Sequence, residues 1–278
     1  MPAHELRCRI PASLWQALEQ RSAATGEPVR HLVATALADL LDVEHRTIFQ
    51  VSTTGALVEG VYEGAVRIGT LREHGDFGLG TFEGLDGEMI VIDGGFFRVG
   101  TEGTLQPVGD DVLSPYAMVT RFTPAHTTTL ADFASFDDLC AALDVMRDSE
   151  NHFFAFRIDG TFPALHLRAA CKVPEGTPLV EATAQQREWN VSETRGTWIG
   201  FWSPLYAAHF DVPGYHFHAV DDARARGGHV LAGSGRDLTI GMERLDQLIV
   251  ALPETADFLR ADLHGDPSAA LDVAERDH

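Results

Sequence analysis

Cysteine is scarce in this chain of 278 residues, and the three present, Cys8, Cys140 and Cys171, are widely spaced with no C-x-x-C. An odd, scattered set excludes a disulfide framework and a thiolate metal cage, and makes a reducing, cytoplasmic setting the expectation. Long apolar runs are missing too: nowhere do 18 apolar residues follow one another, and the opening Met-Pro-Ala-His-Glu has no basic region leading into an apolar stretch. Neither a membrane span nor a secretion leader is expected. Positive charge is short, with 21 Lys and Arg against 41 Asp and Glu and a formal net charge of −20. Such a chain repels nucleic acid overall, so any DNA contact would need a locally basic segment. Acidity alone names no substrate.

What is present suffices for a core. Hydrophobic residues make up 45% of the chain, and the length fits one large or two modest domains. Residues 5–10, Glu-Leu-Arg-Cys-Arg-Ile, alternate as in a strand. Pro11 and Ser13 then start a helix bearing Leu14, Trp15 and Leu18 that Gly26 ends, and Pro28 opens a second one carrying Val29, Leu32, Val33, Ala36, Leu37, Leu40 and Leu41. Strand, helix, helix within some forty residues resembles the ribbon-helix-helix module of small dimeric repressors, in which Arg7 and Arg9 would read bases. The plainer alternative is a dimerisation arm that buries its apolar stripe on a partner chain. Residues 42–47 form the junction, without a low-complexity linker.

Beyond Ile48 the texture becomes glycine-punctuated apolar runs. Phe49–Val51 is expected as a strand and the segment from Thr53 to Leu57 as a short helix. Gly75-x-x-Gly78-x-Gly80 follows no clear strand and opens no helix, so close backbone approach explains it better than a phosphate loop. Leu85-Asp86-Gly87-Glu88 reads as a turn into a strand Met89–Asp93, with a hairpin through Asp93-Gly94-Gly95 into Phe96–Val99. A carboxylate such as Glu88 at that junction is ordinarily solvated. Residues 117–123 suggest another strand, and Ser135 caps a helix with Phe136, Leu139, Cys140, Leu143 and Met146 on one face. Phe153–Ile158 and Ala164–Ala169 flank Asp159-Gly160-Thr161-Phe162-Pro163 and read as a strand pair. Arg168, inside an apolar strand, must find an anion, which a guanidinium can grip with two parallel hydrogen bonds; a structural ion pair or an exposed edge is the alternative. Gly196–Trp202, Val230-Leu231 and Leu238–Ile240 read as further strands. The polar stretch from Glu254 to His278 has the composition of a fraying tail.

Histidine spacing carries the chemistry. In Gly214-Tyr215-His216-Phe217-His218 a strand would set His216 and His218 on one face, about 7 Å apart along the backbone. The turn-forming stretch with Asp221-Asp222 and Gly227-Gly228 can fold the chain back and bring His229 beside them. Three imidazoles with vacant positions left over suit a catalytic rather than a structural zinc. Ordinary core or surface histidines in a hairpin remain the alternative on spacing alone.

Five stretches in order, Gly75–Thr81, Leu85–Glu88, Gly160-Thr161-Phe162, Gly214–His218 and Gly227-Gly228-His229-Val230-Leu231, resemble the alpha-acetolactate decarboxylase family over roughly residues 48–278. The resemblance implies a carboxy-lyase that uses Zn²⁺ to convert 2-acetolactate to acetoin and CO₂ through a metal-stabilised enediolate. It assigns His216, His218 and His229 as zinc ligands, with Thr81 and Glu88 lining the site and Arg168 beside it. It also returns Glu275, in Val273-Ala274-Glu275-Arg276, to the site from the tail, and it implies a homodimer. Residues 1–45 depart from the family and form an extension to a catalytic domain at 46–278. The expected fold is α+β: two lobes, roughly 46–150 and 151–278, on mixed or antiparallel β-sheets with few helices. The zinc hairpin belongs to the second lobe, Glu88 to the first, and a small β-α-α module precedes both. A metal- or ligand-responsive DNA-binding regulator is the alternative from another class. A cupin-like dioxygenase fits less well, because no H-x-H-x-x-x-x-E is present.

Overall fold

The computed structural model describes residues 7–41, 46–124 and 126–275. Two sheets dominate it. The first has seven strands in the order Gln247–Ala251, Thr47–Val51, Ala117–Thr120, Phe77–Thr81, Glu88–Ile92, Gly95–Val99 and Leu105–Pro107. Its neighbours are antiparallel except for Thr47–Val51 beside Gln247–Ala251, which run parallel. In the second sheet Phe153–Ala169, Arg187–Ser203, Gly214–Asp221 and Gly227–Leu245 follow one another antiparallel, and the last pairs back onto the first, so the ladder closes. Closure pairs part of the edges that an open sheet would otherwise expose, the contact between Gly214–Asp221 and Gly227–Leu245 running only from Val220↔Gly227 to His218↔His229.

Strand parity decides what each face buries. On Gly214–Asp221, Phe217 and Ala219 point into a cluster with Trp198, Phe162 and Leu143, beneath the helix Phe136–Met146. His216 and His218, one residue out of phase, face the first sheet. Between the sheets lies a second cluster that includes Ile48, Phe77, Leu79, Ile90, Met118, Ile199 and Phe201. Ile68 and Leu71 of the helix Ile68–His74 cover the outer face of the seven-stranded sheet.

Several expectations change on contact with the fold. The strand pair expected around Asp159–Pro163 is one strand, Phe153–Ala169. The intervening stretch absorbs register shifts instead of turning, because Phe162 is buried and stacks on Trp198 with centroids 5.0 Å apart. Val230-Leu231 and Leu238–Ile240 are likewise parts of a single 19-residue strand. Up to Glu275 the tail is ordered rather than fraying: Ala256–Arg260 and Ser268–Glu275 are helices, and Leu271 and Ala274 are buried, while residues 276–278 lie outside the described residues. The sheets also exchange strands across the boundary near residue 150, since His126–Leu130 joins the closed ladder and Gln247–Ala251 the open sheet. In the extension, Ala12–Thr25 and Val29–Leu41 are helices and Gly26 closes the first with φ 76°. Residues 5 and 6 of the expected strand lie outside the described residues, and 7–10 are not in a strand.

Gly78 illustrates the glycine-rich stretch. It lies within Phe77–Thr81, where a Cβ would come within 2.1 Å of the Met118 carbonyl oxygen. The glycines there allow adjacent backbones to meet.

Candidate metal centre

His218 and His229 are cross-strand partners in the hairpin, and His216 lies two residues along the same face. Their ring centroids form a near-equilateral triangle with sides of 4.8, 5.1 and 5.3 Å. Each ring offers one nitrogen, and the three nitrogens lie within 4.8 Å of one another. His216 Nε2 and His229 Nδ1 are 3.1 Å apart, close to the roughly 3.3 Å between two ligand atoms on one tetrahedral zinc. Burial is the largest reason all three are held neutral, with the Arg168 charge acting in the same direction; His218 falls to about 3 although its bond to Met89 opposes the shift. A neutral ring keeps the lone pair that a cation needs.

One ring is aimed by the other sheet. His218 Nδ1 lies 2.8 Å from the Met89 carbonyl oxygen, an acceptor only, so Nδ1 carries the proton and Nε2 is the free ligand atom. That Nε2 is buried without a hydrogen-bond partner among the described residues. Fully desolvated lone pairs are costly when unused. The donor set therefore fits a divalent cation, and three imidazoles with vacancies suit zinc.

Around the rings stand the charged groups. Glu88 opens the strand Glu88–Ile92 directly across from Thr81. It is 7% exposed, not solvated as its turn position led one to expect, because its Oε1 accepts the Ala170 N–H at 2.9 Å. Its Oε2 is 3.7 Å from His218 Nε2. Burial pushes its carboxyl up to about 7, with Arg168 and the Ala170 amide pulling the other way. Thr81 spends its hydroxyl on the Gly87 carbonyl at 2.8 Å, bracing the turn that presents Glu88.

Arg168 is 4% exposed, and the anion it holds belongs to the tail. Its Nη2 donates to Glu275 Oε2 at 2.8 Å and approaches His229 Nε2 at 3.4 Å, while Nη1 donates to the Ala274 carbonyl at 2.6 Å and to Gln186 Oε1 at 2.7 Å. Glu275 Oε2 is 3.8 Å from His216 Nε2 and 3.7 Å from His229 Nε2. Burial raises the Glu275 carboxyl against the pull of Arg168. All seven expected residues thus line one cavity of ≈ 60 Å³.

Three residues in or behind that cavity were not anticipated. Tyr116, a lining residue, donates its hydroxyl to buried Asp211 at 2.8 Å, and Asp211 also accepts from Ser203 and from the Val212 N–H. Burial lifts Asp211 to about 6. An aspartate just ahead of Val212-Pro213-Gly214 looks like a turn residue in sequence, and nothing local tells it from a buried acceptor. Gln186, which steadies Arg168, gave no signal either.

Known proteins agree on where this arrangement belongs. Residues 48–265 match the family Alpha-acetolactate decarboxylase. The protein so named from Methylococcus capsulatus is 39% identical over 233 residues, covering 84% of this chain and 90% of its own. The one from Bacillus subtilis is 38% identical over 227 residues, or 81% of this chain and 89% of that one. A crystal structure of the Bacillus subtilis strain 168 enzyme superposes with a TM-score of 0.80 at 36% identity, covering 83% of this chain and all of the other.

Proposed function

The chain belongs to the alpha-acetolactate decarboxylase family, and from that premise we propose that it releases CO₂ from 2-acetolactate to give acetoin at the His216, His218 and His229 cluster. The observation that carries this is the convergence of three neutral imidazoles, two glutamates and an arginine on one small cavity. Five of these six residues fall within the matched span; only Glu275 lies beyond residue 265. The extension that would contact DNA lies outside it, which favours the enzyme over the regulator. Zinc as the ion, a homodimeric assembly and a cytoplasmic location belong to the same proposal. No helix among the described residues is long and apolar enough to cross a membrane.

In the reaction the bond between the carbinol carbon and the carboxylate breaks, and its electron pair passes toward the adjacent keto oxygen to give an enediolate. A proton added at that carbon completes acetoin. A divalent cation held by the three imidazoles would supply positive charge where the negative charge accumulates. The remaining work falls to side chains. Glu275, held by Arg168 beside two of the rings, exchanges a proton with the substrate hydroxyl. Glu88, on the His218 side and poised near neutrality, delivers the proton to carbon. Arg168 fixes Glu275 and keeps a positive guanidinium at the edge of the cavity, where a substrate carboxylate or enolate oxygen is attracted. Thr81 is a positioning residue acting through the turn before Glu88.

Replacing His216 with alanine is expected to abolish both the bound ion, measured by elemental analysis, and acetoin formation. A metal-free variant with full activity would refute the assignment.

A further inference from the structure

The closed ladder has a gap in it. Gly214–Asp221 pairs with Gly227–Leu245 only from Val220↔Gly227 to His218↔His229. Beyond His229 that edge meets only the isolated bridge between Gly235 and Phe133 before His126–Leu130 joins at Leu238–Met242. The parted strands and the start of the helix Phe136–Met146 enclose a groove of ≈ 550 Å³, about nine times the inner cavity. Its floor is the site: His216, His229, Glu275 and Val212 line both spaces. Its walls carry apolar side chains, Phe136, Cys140, Tyr215 and Val230 among them, beside the polar Ser135 and Asp137.

The groove is preformed. Tyr215 is held from behind by Arg147, whose Nε donates to its hydroxyl at 2.9 Å and whose guanidinium lies 3.6 Å above the Trp202 ring. The same hydroxyl donates to Asp144 at 2.8 Å, and Asp144 also accepts from Arg147. Both Asp144 and Arg147 lie at the far end of the helix, so the clamp fixes the helix against the strand that carries His216. A preformed space with apolar side chains on its walls that opens onto a polar floor is a usual form of ligand site. The two acidic groups on its lining, Asp137 and Glu275, disfavour a second negative charge there.

Resting on the proposed decarboxylation, we propose that this groove takes the apolar substituent of the substrate, so that 2-hydroxy-3-oxo acids extended by several uncharged carbons at one end bind better than 2-acetolactate. The head group occupies the inner cavity, and the tail runs out between the parted strands. Dicarboxylic homologues, with a carboxylate on the tail, are rejected.

Two series of acids, lengthened either at the 2-alkyl or at the acyl end, test this on the zinc-loaded protein. Calorimetry uses the corresponding 2,3-dihydroxy acids, which lack the 3-keto group and so cannot lose CO₂. In one series Kd is expected to fall about fourfold for each of the first few methylenes, and an ω-carboxylate is expected to cancel the gain. Flat or rising Kd in both series overturns the proposal. Turnover separates the two ideas. If 2-acetolactate is decarboxylated but longer acids gain nothing in kcat/KM, the groove proposal fails while the enzymatic one stands. If the dihydroxy acids bind with the expected chain-length gain yet no keto acid is decarboxylated, the enzymatic one fails and the groove stands. Cys140→Trp and Ala232→Phe, both at residues that line the groove, fill it, and each is expected to lower the long-to-short ratio of kcat/KM at least tenfold. Thermal melting checks that both fold, and an unchanged ratio in a folded variant places the tail elsewhere.

Discussion

The two halves of the site are built in different ways. The imidazoles come from adjacent strands of one ladder, fixed by the His218↔His229 pairing and the two-residue period. The carboxylates come from distant segments: Glu88 from the other sheet, Glu275 from the last described turn of the tail helix. A ladder holds its side chains through many backbone hydrogen bonds, so the ligand half is rigid by construction. The carboxylate half depends on a few side-chain contacts, chiefly those of Arg168, and is the half that substitution can dislodge without unfolding anything.

Glu275→Gln gives the largest separation of the halves. The ion is expected to stay, since all three rings remain, while turnover drops by about 10²–10⁴ as a proton-transfer group is lost. Elemental analysis beside an acetoin assay reads both, and an unaltered rate would mean that Glu275 is only a structural partner of Arg168. Arg168→Lys should act more mildly and by another route. A lysine cannot hold Gln186, the Ala274 carbonyl and Glu275 with one planar fork, so the helix Ser268–Glu275 should loosen. The expected signature is faster amide exchange over that helix with turnover about 10²-fold lower, the scale of a misplacement near 1 Å. Unchanged exchange and rate would show that burial of Leu271 and Ala274 alone docks the tail.

The same contrast explains what could be read from sequence. His216, His218 and His229 were legible because strand parity and a short return are local rules. Arg168 was legible in part: a buried arginine must have an anion, but the identity of that anion is a tertiary fact about a helix more than a hundred residues away. Glu88 and Glu275 look like solvated carboxylates by every local rule, and only the family resemblance singled them out. Asp211 and Gln186 had neither aid. Element type was read better than element length: Phe153–Ala169 and Gly227–Leu245 run through stretches whose glycines and prolines mimic turns, because bulges let a long strand bend around a closed ladder.

A buried glutamate outside the site supplies the control for the carboxylate half. Glu243 is on the same strand as His229, is fully buried and sits beside the crossover from the open sheet to the closed ladder. Its Oε2 accepts the Thr123 N–H at 2.6 Å, and its Oε1 has no hydrogen-bond partner among the described residues. Burial lifts it from 4.5 to about 8; the Thr123 amide and Arg46 pull down, and Asp76 and Asp246 push up. A folded value above the unfolded one means that the stability it contributes is complete below about 4.5 and is lost as pH rises toward about 8. Glu243→Gln keeps an acceptor for Thr123 and cannot ionise. Its stability relative to the parent should therefore climb across that window by an amount on the order of 2–4 kcal/mol, measured by urea unfolding at several pH values, with turnover barely altered. A pH-independent difference would mean that Glu243 stays charged in the folded chain. Its burial would then cost far less than that of Glu88, and depth alone would no longer account for the raised carboxyls in the site.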